Sequence, residues 1–369
     1  MDFVLGNARF VGERTVEITP HEGGTRLVRG RDVLINTGAT PAAPRLPGAV
    51  EAEVWDSESI LRLERLPESL IVLGGGYVGC EFASMYAVFG SKVTLLQGRD
   101  QLLPSEDPDV AADVADSLRN LGVDVRLGVR ATAVRREPNH GDVVTTLDDD
   151  SQVRRQELLV ATGRAPVTAD LGLEAAGVQL TNHGFVAVDE QLRTTADHVW
   201  AAGDVAGSPQ FTHASWHDFR IIKSNLTGGD AATTGRLVPY TVFTTPELAR
   251  VGLTEIEARA QGHQVKIARI DLAAIPRAKT LHNKIGGWKA VIDAQTDRIL
   301  GVALLGHGSG EVVAAVQMAM LGGLRYQQVR DAVITHPTMG EGLNLLFDTL
   351  DDSQPQRGHS TRPAGTPIP

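Results

Sequence analysis

Between Ser69 and Gln97 the chain reads SLIVLGGGYVGCEFASMYAVFGSKVTLLQ, a stretch that leaves little choice of fold. Leu70 to Leu73 is an unbroken apolar run, as a strand buried on both faces of a parallel sheet requires. A G-x-G-x-x-G turn follows: Gly74 permits a tight bend, Gly76 lets a pyrophosphate approach the backbone, and Gly79 lets a helix pack closely on the strand. Tyr77 to Phe89 then reads as a helix whose free N–H groups face the phosphates. Gly90 stops it, and Val93 to Leu96 forms a second strand with Gln97 at its tip, 18 residues after Gly79. A glycine-rich turn alone has an ordinary structural reading. Here strand, helix, stop and second strand all fall where a dinucleotide-binding βαβ unit needs them.

The tip residue bears on which dinucleotide is bound. An acidic side chain there would hold the ribose hydroxyls of NAD and repel a 2′-phosphate. Gln97 carries no charge and Arg99 stands two residues on, which leans toward NADPH. Arg99 reads equally well as a solvated surface residue.

At 369 residues the chain is too long for one ordinary core, and two or three domains are expected. Its apolar fraction of 42% and charged fraction of 22% are those of a soluble globular protein. A net charge of −10 argues against non-specific nucleic-acid binding. No apolar run reaches the ~18 residues of a membrane span, and MDFVLGNARF has no signal-peptide architecture, so a cytoplasmic enzyme is expected. No metal-ligand set is read. The one cysteine, Cys80, is either a thiol activated by the helix N-terminus or a small buried residue beneath the sheet. No intramolecular disulfide can form.

Taken in order, residues 1 to 35 read as a small antiparallel meander (Ala8–Val11, Thr15–Ile18, Thr25–Val28) feeding a buried strand, Asp32 to Asn36. After the central unit come a helix from Asp107 to Asn120 and a strand from Val123 to Leu127. A second meander (Ala131–Arg136, Val143–Leu147, Gln152–Arg155) feeds the strand Glu157 to Ala161. DVLINTGATP and ELLVATGRAP are copies of one motif, so the chain carries an internal repeat. The second copy is preceded by its own glycine-rich βαβ unit and the first is not. The expectation is that the first βαβ unit of a two-nucleotide-site protein is missing.

A strand from Val199 to Ala202 ends in Gly203-Asp204-Val205, ahead of a helix from Thr212 to Thr227. An aspartate at the carboxyl end of a buried strand suits a sugar or ribityl hydroxyl; capping a turn is its ordinary alternative. From Gly235 the pattern changes to antiparallel strands and amphipathic helices, with helices at Gly310–Gly322 and Tyr326–Val333 before His336-Pro337-Thr338-Met339-Gly340-Glu341. After Leu350 the tail, rich in Pro, Gly, Ser, Gln and Arg, is expected to be disordered.

GGGYVGCEFA, ATGRAP, AAGDV, FTTPELARVGLTE and HPTMGE stand in the order and spacing of the class I pyridine nucleotide-disulfide oxidoreductases. This group includes dihydrolipoamide dehydrogenase, glutathione reductase and mercuric reductase, and the chain resembles it from residue 1 to about 350. VPYTVFTTPELARVGLTE, DLAAIPRAK and WHDFRII are most similar to the mercuric-reductase-like branch that contains the reactive-chlorine-resistance flavoprotein. The resemblance implies an α/β architecture: a Rossmann-like NAD(P)-binding domain (52–161) inserted in a partial FAD-binding domain (1–51 and 162–234), then an α+β dimerisation domain (235–350) and the tail (351–369).

It further implies FAD and NAD(P)H as cofactors, with hydride passing from nicotinamide to flavin and on to a small-molecule acceptor, a thiol/disulfide or a metal ion. Tyr77 matches the residue gating the nicotinamide pocket and Glu81 the carboxylate meeting the carboxamide beside the flavin. Val78 belongs to the same turn. Asp204, beside Gly203, matches the ribityl-binding aspartate, and Phe211, Thr212 and His213 the helix start whose dipole faces the flavin ring. Thr37, Gly38 and Gly163, at the strand ends of the repeat, complete the implied cofactor set.

His336 and Glu341 match the acid/base pair, an imidazole able to move a proton near neutral pH and a carboxylate that fixes its tautomer. A packing or capping histidine is the ordinary alternative. In the family this histidine serves the partner subunit, which implies a homodimer. Mercuric reductases proper lack it, which argues against Hg(II) as dedicated substrate. Two family parts are not found in the sequence: the GxGxxG turn for the ADP half of FAD, and the redox-active CxxxxC pair. The expectation is an N-terminally truncated flavoenzyme with weakened FAD binding, or, alternatively, a non-catalytic NAD(P)-binding homodimer.

Overall fold

In the computed structural model, which describes residues 1–139 and 141–350, the apolar run after Glu68 forms the strand Ser69–Leu73. It is an inner strand of a parallel sheet ordered Glu157–Val160, Ser69–Leu73, Lys92–Gln97, Asp124–Leu127. Leu70, Ile71 and Val72 have no exposed surface, because both faces of the sheet are covered. The helix Tyr77–Val88 connects the first two strands of the unit. Gly90, at φ 102°, turns the chain back in a conformation that β-carbons disfavour. Pro108–Asn120 forms the next helix, with proline in its first turn and Val110, Ala111, Val114 and Leu118 on its buried face.

Both copies of the repeat fold alike. Gly6–Gly12, Thr15–Pro20 and Arg26–Arg29 form one antiparallel meander, and Ala131–Arg136, Val143–Leu147 and Gln152–Arg155 form the other. Each feeds a parallel strand, Val33–Ile35 beside Val199–Ala201 and Glu157–Val160 beside Ser69–Leu73. The segments after the two strands also pair with each other, Ala39–Pro41 running antiparallel to Arg164–Pro166. The repeat thus closes on itself at the threonine-glycine ends.

The strand expected to be buried from Asp32 to Asn36 is shorter and only partly covered. Leu34 is 47% exposed although its cross-strand partner Trp200 is buried. Among the described residues Val33–Ile35 has a strand neighbour on one side only, so part of its apolar surface stays open.

These elements belong to a unit running from Met1 to Thr245; a second unit begins at Pro246. In the second, Leu248–Gly252, Ile299–Leu305, Gly287–Asp293 and Val265–Asp271 pair antiparallel in that order. Trp288 lies at its core, fully buried. Thr254 caps the helix Glu255–Ala260 through a reciprocal bond with Glu257, the capping box its sequence TEIE spells. The helix expected to reach Val333 ends at Arg330, and the short helices Leu173–Ala176 and Gly342–Asp348 were not anticipated. The tail expected to be disordered lies outside the described residues. Among the described residues no helix is long and apolar enough to cross a membrane.

Candidate functional site

The Gly74–Gly79 turn lies at the carboxyl end of its sheet, where strand order reverses between Ser69–Leu73 and Glu157–Val160. Open α/β sheets present their binding crevice at such a point. Gly74 has φ 115°, and a β-carbon there would sit 2.4 Å from the Ala161 carbonyl oxygen. A β-carbon on Gly79 would meet the Gly74 carbonyl oxygen at 1.8 Å, so the helix can approach the turn only with glycine there. Gly76 differs: a β-carbon would face open space. That space is the cradle toward which the helix Tyr77–Val88 turns its first N–H groups. A cleft of about 570 Å3 runs past it, lined by Gly74, Gly76, Tyr77, Val78, Arg99 and Gly163 among others. An adjoining cleft of about 590 Å3 holds Gln97, Gly98, Arg45 and Arg130.

Gln97 is buried, and its side-chain amide donates to the Gln101 carbonyl at 3.1 Å, so a neutral, anchored group occupies the strand tip. Tyr77 stands at the mouth of the cleft, its hydroxyl 2.9 Å from Ser105 Oγ. Its ring packs on Tyr240 at 5.3 Å and on Phe211 at 6.3 Å, and Phe211 stacks on both Tyr240 and His213 at 5.3 Å. The Tyr240 hydroxyl donates to buried Glu106. One turn along the helix Glu81 accepts the Phe243 N–H at 2.8 Å. Burial raises the pKa of its carboxyl above the usual range and that bond only partly offsets it.

Asp204 lies in a single 3-10 turn, Gly203–Ala206, at the end of Val199–Ala201. The N-cap residue of this turn is Ala202, so Asp204 is not its cap, but it stands in the first turn as a turn aspartate also would. Burial lifts its carboxyl pKa, against the pull of Arg164. Beneath it, fully buried Asp218 accepts the Gly203 N–H at 2.8 Å and Arg236 Nη1 at 2.5 Å, while Arg236 Nη2 reaches Ser208 Oγ at 3.3 Å. This brace was not read from the sequence, because its members are far apart in the chain. Phe211 is the N-cap residue and Thr212 the first residue of the helix Thr212–Leu226, and His213 Nε2 lies 2.6 Å from the Pro239 carbonyl oxygen. Gly38 (φ 72°) and Gly163 (φ 146°) each face open space where a β-carbon would be, while the Thr37 hydroxyl is bonded to the Val167 carbonyl at 2.6 Å.

In the second unit, His336 Nδ1 is 2.7 Å from Glu341 Oε2. The imidazole is 68% exposed, so it does not pack in the core. With Nδ1 held by a carboxylate, Nε2 is the ring atom free to take or give a proton. Cys80 is fully buried, and burial pushes its thiol up to about 12. Burial thus matches the small-buried-residue alternative and disfavours the thiolate, which is the reactive form.

The family model described as pyridine nucleotide-disulphide oxidoreductase matches residues 1–218, and that of the dimerisation domain of the same group matches residues 238–346. The chain is 43% identical over 353 residues to the probable pyridine nucleotide-disulfide oxidoreductase RclA of Escherichia coli, covering 95% of this chain and 79% of that protein. It is 34% identical to a mercuric reductase of Staphylococcus aureus, of which it spans 63%. Among solved structures, a Cu(II) complex of the HOCl-induced flavoprotein disulfide reductase RclA from E. coli superposes with a TM-score of 0.89 at 42% identity, covering 94% of this chain and 78% of that one. LpdA from Mycobacterium tuberculosis gives 0.82 at 27% identity, covering 95% and 75%.

Proposed function

Since the chain belongs to the pyridine nucleotide-disulfide oxidoreductase family, we propose that it works as an FAD-dependent NAD(P)H oxidoreductase, delivering electrons to a thiol/disulfide or metal-ion acceptor. The reading places it in the cytoplasm as a homodimer built through the domain after Gly235. The observation that carries it is the Gly76 cradle, open and flanked by Tyr77 and Val78. Gly74, Gly76, Val78 and Gly79 would hold the pyrophosphate, with Gln97 and Arg99 at the adenosine end. Tyr77 would cover the nicotinamide, and Glu81, which burial makes easier to protonate, would hydrogen-bond its carboxamide.

Thr37, Gly38, Gly163, Gly203, Asp204 and the helix start at Phe211, Thr212 and His213 fit a flavin in kind: two glycines open to an approaching group and a carboxylate held over a braced turn. Bound FAD supplies the two-electron relay between the coenzyme and the acceptor. His336, its tautomer set by Glu341, would return or remove the proton at the acceptor.

A second reading, a non-catalytic NAD(P)-binding homodimer, is favoured by one observation: the single cysteine of this sequence is buried, with its thiol pushed far above neutral. An absorbance spectrum of the purified protein, followed by anaerobic addition of NADPH or NADH, separates the two. A flavin band that bleaches supports the oxidoreductase. A colourless protein that still binds the coenzyme supports the second reading, and one that binds neither overturns both.

A further inference from the structure

Beyond the strand tip at Gln97, the chain segments Gln97–Arg99 and Gly128–Arg130 continue side by side, Val129 N–H donating to the Gln97 carbonyl at 3.1 Å and Gly128 N–H to the Arg99 carbonyl at 2.9 Å. Asp148 pins Arg130 from the other side, its N–H donating to the Arg130 carbonyl at 2.9 Å and its carboxylate accepting the Arg130 N–H at 3.2 Å. With its backbone fixed, Arg130 lays its side chain across Gly98. A β-carbon on Gly98 would stand 3.1 Å from Arg130 Cγ and 3.6 Å from Nε. Gly98 is thus a gap in the strand tip through which this side chain passes, on the wall of the cleft that Gln97 also lines.

We propose that Arg130, rather than Arg99, is the residue that selects the coenzyme, by binding the 2′-phosphate of NADPH. The proposal rests on the reading that Gly74–Gly79 holds a nicotinamide dinucleotide. That reading puts the adenosine ribose at the tip of Lys92–Gln97. The group at the tip is a neutral amide held to the backbone, so no charge there repels a phosphate. The Arg130 guanidinium makes no side-chain hydrogen bond or ion pair among the described residues, and Arg45 on the same cleft is likewise unpaired. A guanidinium offers parallel N–H donors that match phosphate oxygens, and a 2′-phosphate would supply the counter-charge these arginines lack. Arg99 lines the neighbouring cleft with Tyr77 and Val78, away from the wall that Gly98 and Arg130 form.

The test is a fluorescence titration of NADPH and of NADH against the whole chain and its Arg130→Ala, Arg130→Lys and Arg99→Ala variants. Arg130 is exposed, so its truncation leaves the fold intact, and a thermal melt of each variant checks this. The wild-type protein is expected to prefer NADPH. Arg130→Ala should weaken NADPH about tenfold or more while NADH moves less than about twofold, with Arg130→Lys between. Arg99→Ala should weaken both coenzymes alike. A wild-type preference for NADH, equal losses for both coenzymes in Arg130→Ala, or selectivity carried by Arg99 would each overturn the proposal and leave the coenzyme site standing. A wild-type chain that binds neither coenzyme would instead remove the reading beneath it.

Discussion

Gly76 and Gly79 stand three residues apart in one motif and answer to different constraints. At Gly79 a methyl group would collide with the backbone of the turn, so the residue is fixed by packing. At Gly76 the backbone is ordinary, φ −78°, and the space beside it is open, so the residue is fixed by whatever enters that space. Glu81 shows the same tension between fold and site. Its carboxyl titrates above the usual glutamate range because burial disfavours the charge. As pH rises the unfolded chain ionises this group first, so the native state loses stability between the ordinary and the raised pKa and stays lower above both. Glu81→Gln keeps an oxygen for the Phe243 N–H and removes the charge. The variant should therefore melt at a higher temperature than wild type at neutral pH, and the two melts should converge near about pH 3. Equal melting temperatures at both pH values would contradict this account of Glu81.

At the scale of elements, the turn that presents Asp204 is braced by a carboxylate with no exposed surface. Asp218 answers Gly203 from the helix Thr212–Leu226 and is neutralised by Arg236, itself mostly buried. Breaking such a pair by removing one partner costs about 3–5 kcal/mol, because the other charge is left buried. Arg236→Met should lower the unfolding free energy from a denaturant titration by a corresponding amount, whereas Arg259→Met, on an exposed helix pair with Glu255, should change it by less than about 1 kcal/mol. Equal effects would show that the brace carries no load.

None of these longer-range contacts was legible in the sequence. Short-range patterns were: the unbroken apolar run of Leu70 to Leu73 and the proline and glycine around Pro108–Asn120 act within a few residues. Arg130 over Gly98, and Asp218 beneath Gly203, depend on tertiary closure, which no local spacing encodes. The helix Gly342–Asp348 is a different kind of miss. Leu343, Leu346 and Phe347 are spaced for one buried helical face, and all three are buried, so the sequence carries the signal for this helix.

Across the whole molecule, the repeat gives both halves of the first unit one architecture. Each meander hands its chain to a parallel strand whose end turns at a threonine-glycine pair, and the segments beyond meet in Ala39–Pro41 and Arg164–Pro166. Chain function, in either reading, begins with a coenzyme entering the Gly76 cradle. Gly76→Asp tests this with the fold held constant, since aspartate is a favoured residue at a helix N-cap and its side chain meets nothing within 4 Å at its root. The account predicts an unchanged melting temperature and an NADPH dissociation constant raised about a hundredfold or more by fluorescence titration, because a carboxylate would stand where the pyrophosphate must lie. An affinity equal to that of the wild-type protein would contradict it.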